Sequence, residues 1–215
     1  MNDREMRSYA FEVRAEQNEE HGHFLTGTPI VFNQETQQHW FRESIAPEAL
    51  ANTDMKDVRF CVGHKTDDIP LARSRNNNAN STMQMKVAQH GMDIRVDLDT
   101  ENNAQSRALY SATERGDISG MSFAFTVDGE EWQDLESDNP LRIIRSIKRI
   151  FEVSAVAFPA YEGTSLEARA DGASLDSERA ALESARQKLK EERAEKEKAE
   201  RRRALLAELK GETNE

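Results

Sequence analysis

The sequence is poor in several residue types, and each shortage excludes a class of protein. Its 215 residues include a single cysteine, Cys61, which excludes an internal disulfide framework and a cysteine-rich zinc site. No apolar run approaches the roughly 20 residues that a membrane-spanning helix needs, and the first residues lack the apolar core of a signal peptide. These shortages indicate a reducing compartment, and we expect a cytosolic protein without a membrane segment.

Positive charge is also scarce. The chain has 29 basic and 40 acidic residues, a net charge of -11 and a pI near 5.1. Because an acidic chain repels the phosphate backbone, this balance argues against a dedicated nucleic-acid binder.

Composition changes sharply near Ala170. All nine Phe, three Tyr and two Trp precede Asp171, whereas residues 171–215 contain no aromatic residue and no proline. Only the first part can therefore build a dense core. We predict a domain over residues 1–170 and a charged helical tail over residues 171–215.

The tail sequence predicts one long helix over residues 177–209, with Ser177 as N-cap and Gly211 as the stop. Leu182 and Leu189 are seven residues apart, but the same phase then meets Lys196, which interrupts a coiled-coil seam. Two alternatives stay open: a solvated helix that frays, or a helix that pairs with a partner.

Strand signals dominate the first 170 residues, with Gly91 at a hairpin turn. Short helices are predicted after Pro47 and before Gly116, at 47–52 and 103–115. The predicted fold class is mainly β with helices: a closed or partly closed antiparallel β-barrel decorated by α-helices, followed by the long charged C-terminal helix. The predicted strands are 8–15, 25–32, 58–64, 82–87, 92–98, 119–127 and 143–158.

The first segment that carries chemistry ends at His64. If residues 58–64 form one strand, His64 lies on the same face as Val58, Phe60 and Val62, at the border between core and solvent. There an imidazole is suited to act as a general base. The alternative is a structural histidine at a sheet edge.

The second segment contains Ser122. Its neighbours Met121 and Phe123 belong to an apolar stripe, so Ser122 points to the opposite face beside Ala124. We expect small neighbours to keep its hydroxyl accessible, and a purely structural serine is the alternative. Ser119 is a competing hydroxyl of the other parity.

The third segment, residues 150–160, is the most apolar of the chain and includes Glu152. A buried carboxylate is costly unless it is paired, so Glu152 needs a specific partner. A histidine fits this role, and a salt bridge to Arg149 is the alternative.

Together these segments supply the parts for acyl transfer. A serine needs a base within hydrogen-bond reach, and the imidazole needs a third group that stabilises its protonated form. The three residues are far apart in sequence, and no GxSxG motif accompanies them.

The order of several segments resembles the prohead (capsid maturation) proteases of tailed bacteriophages, which are relatives in fold of the herpesvirus assembly proteases. The likeness covers residues 7–168. It is carried by LTGTPIVFN at 25–33, FRESIAPEAL at 41–50, His64 followed by IPLA at 69–72, ISGMSFAF at 118–125, and FEVSAVAFPA at 151–160. Each motif is loose, but the ordered set is specific.

The resemblance implies a serine endopeptidase with His64 as base, Ser122 as nucleophile and Glu152 as third member. Its expected substrates are the major capsid protein, scaffold segments and itself, inside the assembling prohead in the host cytoplasm. The resemblance also implies a homo-oligomer such as a dimer, and no metal or organic cofactor. The chain departs from the family at Lys65, where aspartate is usual, and at Ala72 and Ala124, where glycine is frequent.

Two other functions remain as alternatives. A non-enzymatic capsid assembly or scaffolding protein would also suit the charged tail. A hydrolase of small esters would require a nucleophile elbow, which the sequence lacks. The tail is interpreted as scaffold-like and removable, with self-cleavage expected near residues 162–174, where small residues suggest exposed chain. His21 and His23 are interpreted as part of a solvated loop rather than as metal ligands.

Overall fold

The computed structural model describes residues 4–9, 13–157 and 172–211. Its elements are eleven strands, one 3₁₀ turn at Pro47–Leu50 and two α-helices. The helices are α1, Ala104–Glu114, and α2, Gly172–Gly211. The strands are β1 Glu5–Tyr9, β2 Arg14–Asn18, β3 Gly22–Val31, β4 Thr36–Gln37, β5 Arg42–Ile45, β6 Asp57–Val62, β7 Ala72–Arg75, β8 Met83–Val87, β9 Gly91–Asp97, β10 Gly120–Gln133 and β11 Leu141–Val156.

The described strands form two open sheets. The larger has the order β1-β10-β11-β5-β4, and β6 also pairs with β11 and carries β7 on its other side. The smaller has the order β2-β3-β9-β8. The mainly β class is therefore confirmed, whereas the predicted barrel is wrong because neither sheet closes on itself.

The long strand β11 explains why the sheet is not purely antiparallel. Its start pairs in parallel with β5 over Leu141–Ile144, and its end pairs in parallel with β6 over Glu152–Ala155. A strand of 16 residues is long enough to hold both short strands on one edge. Sequence alternation reports which face a residue occupies but not which strand lies next to it, so it gave no sign of these parallel pairs.

The core lies between the two sheets. Phe60, Phe123 and Ile150 of the larger sheet and Leu25 and Met92 of the smaller one are fully buried in one apolar cluster. The expected apolar stripe of β10 is thus part of the core.

Six of the predicted strands overlap a single observed strand each. The segment 8–15 is wrong, because residues 8–9 end β1 in one sheet and residues 14–15 begin β2 in the other. Three short strands, β4, β5 and β7, lie outside every predicted strand. They are two to four residues long, too short for alternation to reveal.

Helix α1 has the ends that its sequence predicts. The Asn103 side chain accepts hydrogen bonds from the backbone N–H groups of Gln105 and Ser106, at 2.9 and 3.3 Å. Gly116 follows in the left-handed region with a φ of 81°, which ends the helix at little steric cost. The segment after Pro47 forms only a single 3₁₀ turn.

Helix α2 begins at Gly172, so the prediction of Ser177 as its N-cap is wrong. Leu182 is buried against Phe41 and Trp132 of the domain, whereas residues 191–203 are exposed. The partner of its first turns is therefore the chain's own domain. The predicted boundary at Ala170 and most of the expected cleavage segment lie outside the described residues. No helix among the described residues is long and apolar enough to cross a membrane.

Candidate active site

One face of the larger sheet holds the predicted site residues. Ser122 on β10 is the direct neighbour of Ser154 on β11, and Ala124 is the neighbour of Glu152. Because residues paired across antiparallel strands share a face, Ser122, Ser154 and Glu152 lie on the same side. On the other edge of β11, strand β6 ends just before His64.

The backbone turns sharply at His64. Strand β6 stops at Val62, and both Gly63 and His64 adopt left-handed conformations, with φ values of 59° and 61°. The expectation that His64 continues the stripe of Val58 and Phe60 is therefore wrong. The turn instead brings the imidazole to Glu152, on the sheet face opposite to those core residues.

His64 and Glu152 form a short hydrogen bond. Nδ1 of His64 lies 2.6 Å from Oε1 of Glu152. Since a carboxylate can only accept, Nδ1 carries the proton and Nε2 keeps the basic lone pair. Nε2 has no hydrogen-bond partner in the part of the chain that the structure describes, and the imidazole side chain is 11% exposed.

The Glu152 carboxylate is fully buried, and both of its oxygens have partners. Oε1 faces His64, and Oε2 accepts a hydrogen bond of 2.5 Å from the Ser154 hydroxyl. The alternative pairing with Arg149 is wrong, because that guanidinium lies 3.7 Å from Asp54 and over the Phe151 ring. Glu152 is thus positioned to orient an imidazole and to stabilise its protonated form.

Ser154 is a site residue that the sequence interpretation did not assign. Besides donating to Glu152, its Oγ accepts a hydrogen bond of 3.2 Å from the backbone N–H of His64. One hydroxyl thus joins the carboxylate to the turn that carries the imidazole. A sequence signal was available, since Ser154 follows Glu152 by two residues and so shares its strand face.

The Ser122 hydroxyl is hydrogen-bonded to the backbone of β1 rather than to His64. Its side chain is fully buried, and its hydroxyl donates a hydrogen bond of 2.8 Å to the backbone carbonyl of Arg7. The expectation of an accessible hydroxyl is therefore wrong: strand β1 pairs with β10 and places Ser8 directly opposite Ser122. Within the described ranges, no hydrogen bond joins Ser122 to His64.

Two other nucleophile candidates lie near this face. Ser119 is partly exposed and precedes the start of β10. Cys61 pairs with Ser154 across β6 and β11, but burial, aided by the negative charge of Glu152, raises its pKa to about 11. The Cys61 thiol therefore stays protonated at neutral pH and is a poor nucleophile.

A separate group of buried charged side chains includes Glu5, the first residue of β1. Three buried carboxylates, those of Glu5, Glu43 and Glu178, approach one another closely enough to hold a metal ion. The buried guanidinium groups of Arg7 and Arg142 already bond to all three of them. We therefore interpret this group, called the ion cluster below, as an internal ion network.

The pKa values of Glu5 and Glu178 in the ion cluster are shifted in opposite directions. At Glu5 the effect of burial is outweighed by Arg7 and Arg142, which lower the pKa to about 2. At Glu178 burial prevails over the same two cations, and the pKa is raised above its ordinary value. The tail helix thus contributes a carboxylate whose ionised form is disfavoured by burial, in contrast to Glu5.

The sequence model of the Caudovirus prohead serine protease family matches residues 9–177. This range includes His64, Ser122, Glu152 and Ser154. The chain belongs to this family. No curated protein sequence and no solved structure shows a significant match to it. As a prohead serine protease, the chain is assigned in general terms to a serine peptidase that acts in the assembling phage capsid.

Proposed function

We propose that the chain is a serine endopeptidase that cleaves capsid and scaffold proteins, and itself, with Ser122, His64 and Glu152 as its catalytic residues. The observation that carries this proposal is the 2.6 Å contact between His64 and Glu152, on the same sheet face as Ser122. It supports the proposal that these three side chains carry out the family's chemistry.

The reaction begins with the Ser122 hydroxyl. Once that hydroxyl turns away from the Arg7 carbonyl, Nε2 of His64 takes its proton while Oγ attacks the scissile carbonyl. Glu152 stabilises the imidazolium that forms, and the imidazolium then protonates the leaving amine. In the second half, Nε2 of His64 takes a proton from a water molecule that attacks the acyl-enzyme, and it then returns that proton to the Ser122 oxygen as the acyl bond breaks.

The surroundings of Glu152 support its role as an anion. Buried carboxylates require partners, and here the imidazole and the Ser154 hydroxyl supply one for each oxygen. A carboxylate held on both sides keeps the ring in one orientation and one tautomer. This is what the third member of a serine protease triad provides.

The tail belongs to the same proposal. Residues 191–203 of α2 are exposed and highly charged, which suits a segment that lies among scaffold helices before it is removed. We place the self-cleavage site near residues 162–174, between the domain of residues 1–170 and the tail. A homo-oligomer, such as a dimer, is part of the proposal by family resemblance.

A non-enzymatic assembly role is the second candidate. The observation that favours it is the closed state of Ser122, whose buried hydroxyl donates to Arg7 rather than to a base. Under this alternative the β-domain would dock on capsid proteins without cleaving them, and the triad residues would be structural.

Co-expression with the phage's own capsid protein separates the two roles. The proposal predicts a truncated capsid protein and loss of the tail with the wild-type chain, and neither product with Ser122→Ala. Ser119→Ala is the matched control, since it removes a nearby hydroxyl and should leave both products. The same truncation in Ser122→Ala would refute the assignment of the nucleophile.

A further inference from the structure

We propose that β1 is a displaceable strand on the edge where β10 binds an extended substrate peptide, and that helix α2 holds β1 there through Arg7. The inference rests on the proposed function and adds to it a mode of substrate binding and its control. The position that β1 occupies beside Ser122 would accept any peptide with an extended main chain, because edge pairing uses backbone groups.

Arg7 joins the nucleophile to the tail. Its backbone carbonyl accepts the Ser122 hydroxyl at 2.8 Å, and its guanidinium donates to Glu178 of α2, also at 2.8 Å. The same guanidinium grips Glu43 with two hydrogen bonds of 2.5 and 2.8 Å. A movement of α2 that withdraws Glu178 therefore acts on the residue that holds the Ser122 hydroxyl.

The bond between Ser122 and Arg7 closes the site. A serine hydroxyl has one proton to donate. While Ser122 donates it in the hydrogen bond to the Arg7 carbonyl, it cannot donate it to His64. The bond also fixes the oxygen in a buried position at the junction of β1 and β10. Departure of β1 breaks the hydrogen bond between the Ser122 hydroxyl and the Arg7 carbonyl, and it exposes the edge of β10 at the same time.

The attachment of β1 to the sheet depends on the ion cluster. The strand has five residues, and among the described strands it pairs only with β10. Its stronger anchorage is the ion cluster, in which Glu5 receives hydrogen bonds from Arg142 at 2.7 and 2.9 Å. Buried charges are stable only while their partners are present, so loss of Glu178 weakens the anchorage of Arg7.

The first test reverses the charge of the α2 residue in the full-length chain. Glu178→Lys places a cation against Arg7 and Arg142, and Glu192→Lys makes the same charge change at an exposed position of the same helix. We expect Glu178→Lys to speed amide hydrogen exchange in β1 and fluorophosphonate labelling of Ser122 at least tenfold. Glu192→Lys should match the wild type in both.

A second variant locks β1 instead of releasing it. Met6 and Ala124 are directly paired, and paired residues on antiparallel strands have the Cα separation that a disulfide requires. In a Cys61→Ser background, the oxidised Met6→Cys/Ala124→Cys protein should label at least tenfold more slowly than the same protein after reduction. The reduced form is the control for both substitutions.

The outcomes separate this inference from the proposed function. Equal labelling of the locked and reduced proteins would refute the role of β1 while leaving Ser122 as the reactive serine. Faster exchange in β1 of Glu178→Lys without faster labelling would refute it in the same way. If β1 opens and no form of the protein labels at Ser122, the proposed function fails, and this inference fails with it.

Discussion

The two halves of the candidate site lie on adjacent strands but differ in their hydrogen bonding. On β11 and the turn after β6, His64, Glu152 and Ser154 are joined by hydrogen bonds of 2.5 to 3.2 Å. On β10 the hydroxyl of Ser122 is bonded away from them, to the carbonyl of Arg7. Under the proposed function, the base is therefore assembled, whereas the nucleophile is held away from it.

The position of each half in the sheet explains the difference. Strand β11 has β10 along one edge and β5 and β6 along the other, so it lies inside the sheet. Strand β10 has the short strand β1 on one edge, and edge strands exchange partners readily. Under the proposals above, such a site keeps its buried carboxylate paired and regulates only the hydroxyl.

The largest expected effect is that of Ser122→Ala on catalysis. We expect at least a 10³-fold loss of peptidase activity, because no other hydroxyl replaces the nucleophile. Stability should fall by only about 1 kcal/mol, since the change removes one neutral hydrogen bond to the Arg7 carbonyl. Turnover of capsid protein and urea unfolding check the two numbers, and Ser119→Ala is the control. Retained turnover would show that the withheld hydroxyl is not the nucleophile.

Glu152→Gln tests the assembled half. Glutamine keeps the shape but presents either an amide N–H₂ or a neutral oxygen to Nδ1, so it cannot stabilise an imidazolium as a carboxylate does. We expect activity to fall by about 10³-fold while the fold persists. The measurement is turnover together with a thermal melt, with the exposed Glu131→Gln as control. Normal turnover would remove Glu152 from the catalytic residues.

Much of the fold, and the pairing of Glu152 with a histidine, were predictable from sequence. Alternation in residues 119–127 placed the core face of β10 correctly, and the need of buried Glu152 for a partner pointed to a histidine. The route to that pairing was not predictable, because two left-handed residues at Gly63 and His64 redirect the chain and alternation assumes that the strand continues. The burial of Ser122 was hidden too, since its cause is a strand more than a hundred residues away in sequence.

Ser154→Ala tests the hydrogen-bonded half of the site further, and its expected effect on activity is smaller. Loss of this hydroxyl removes a hydrogen bond to a buried carboxylate, worth about 1.5–3 kcal/mol, and a contact to the His64 turn. We expect about a tenfold loss of activity with a changed pH–rate profile, because the pairing between Glu152 and His64 is altered. Ser74→Ala is the control, since that buried hydroxyl has no partner in the described ranges. An unchanged pH profile would make Ser154 merely structural.

The smallest effect concerns pH and the ion cluster. Because the pKa of Glu178 is raised, the proton-linked part of its contribution to docking of α2 is full below its ordinary pKa of about 4.5 and is lost as pH rises through the folded value. The ion pair of Glu178 with Arg7 is present above that value. Glu5 has its pKa lowered to about 2, so its contribution is full above about 4.5 and is lost as pH falls toward 2. Arg7, Arg142 and Glu43 are the other charged groups that face Glu178.

Helix docking is measured by the fluorescence of the tryptophan that contacts Leu182. We expect docking to weaken modestly from pH 4.5 upward in the wild type, and this pH dependence to disappear in Glu178→Gln, whose side chain stays neutral. The Glu192→Gln chain, altered at an exposed position of the same helix, should behave as the wild type. A persistent slope in Glu178→Gln would assign the pH dependence to another group.

The most direct measurement of the central claim is mass-spectrometric mapping of a fluorophosphonate adduct on the full-length chain. The proposed triad predicts an adduct on Ser122 that is absent from His64→Ala and that forms faster when β1 is released. An adduct on Ser119 or Ser154, or equal labelling of Ser122 without His64, would contradict it.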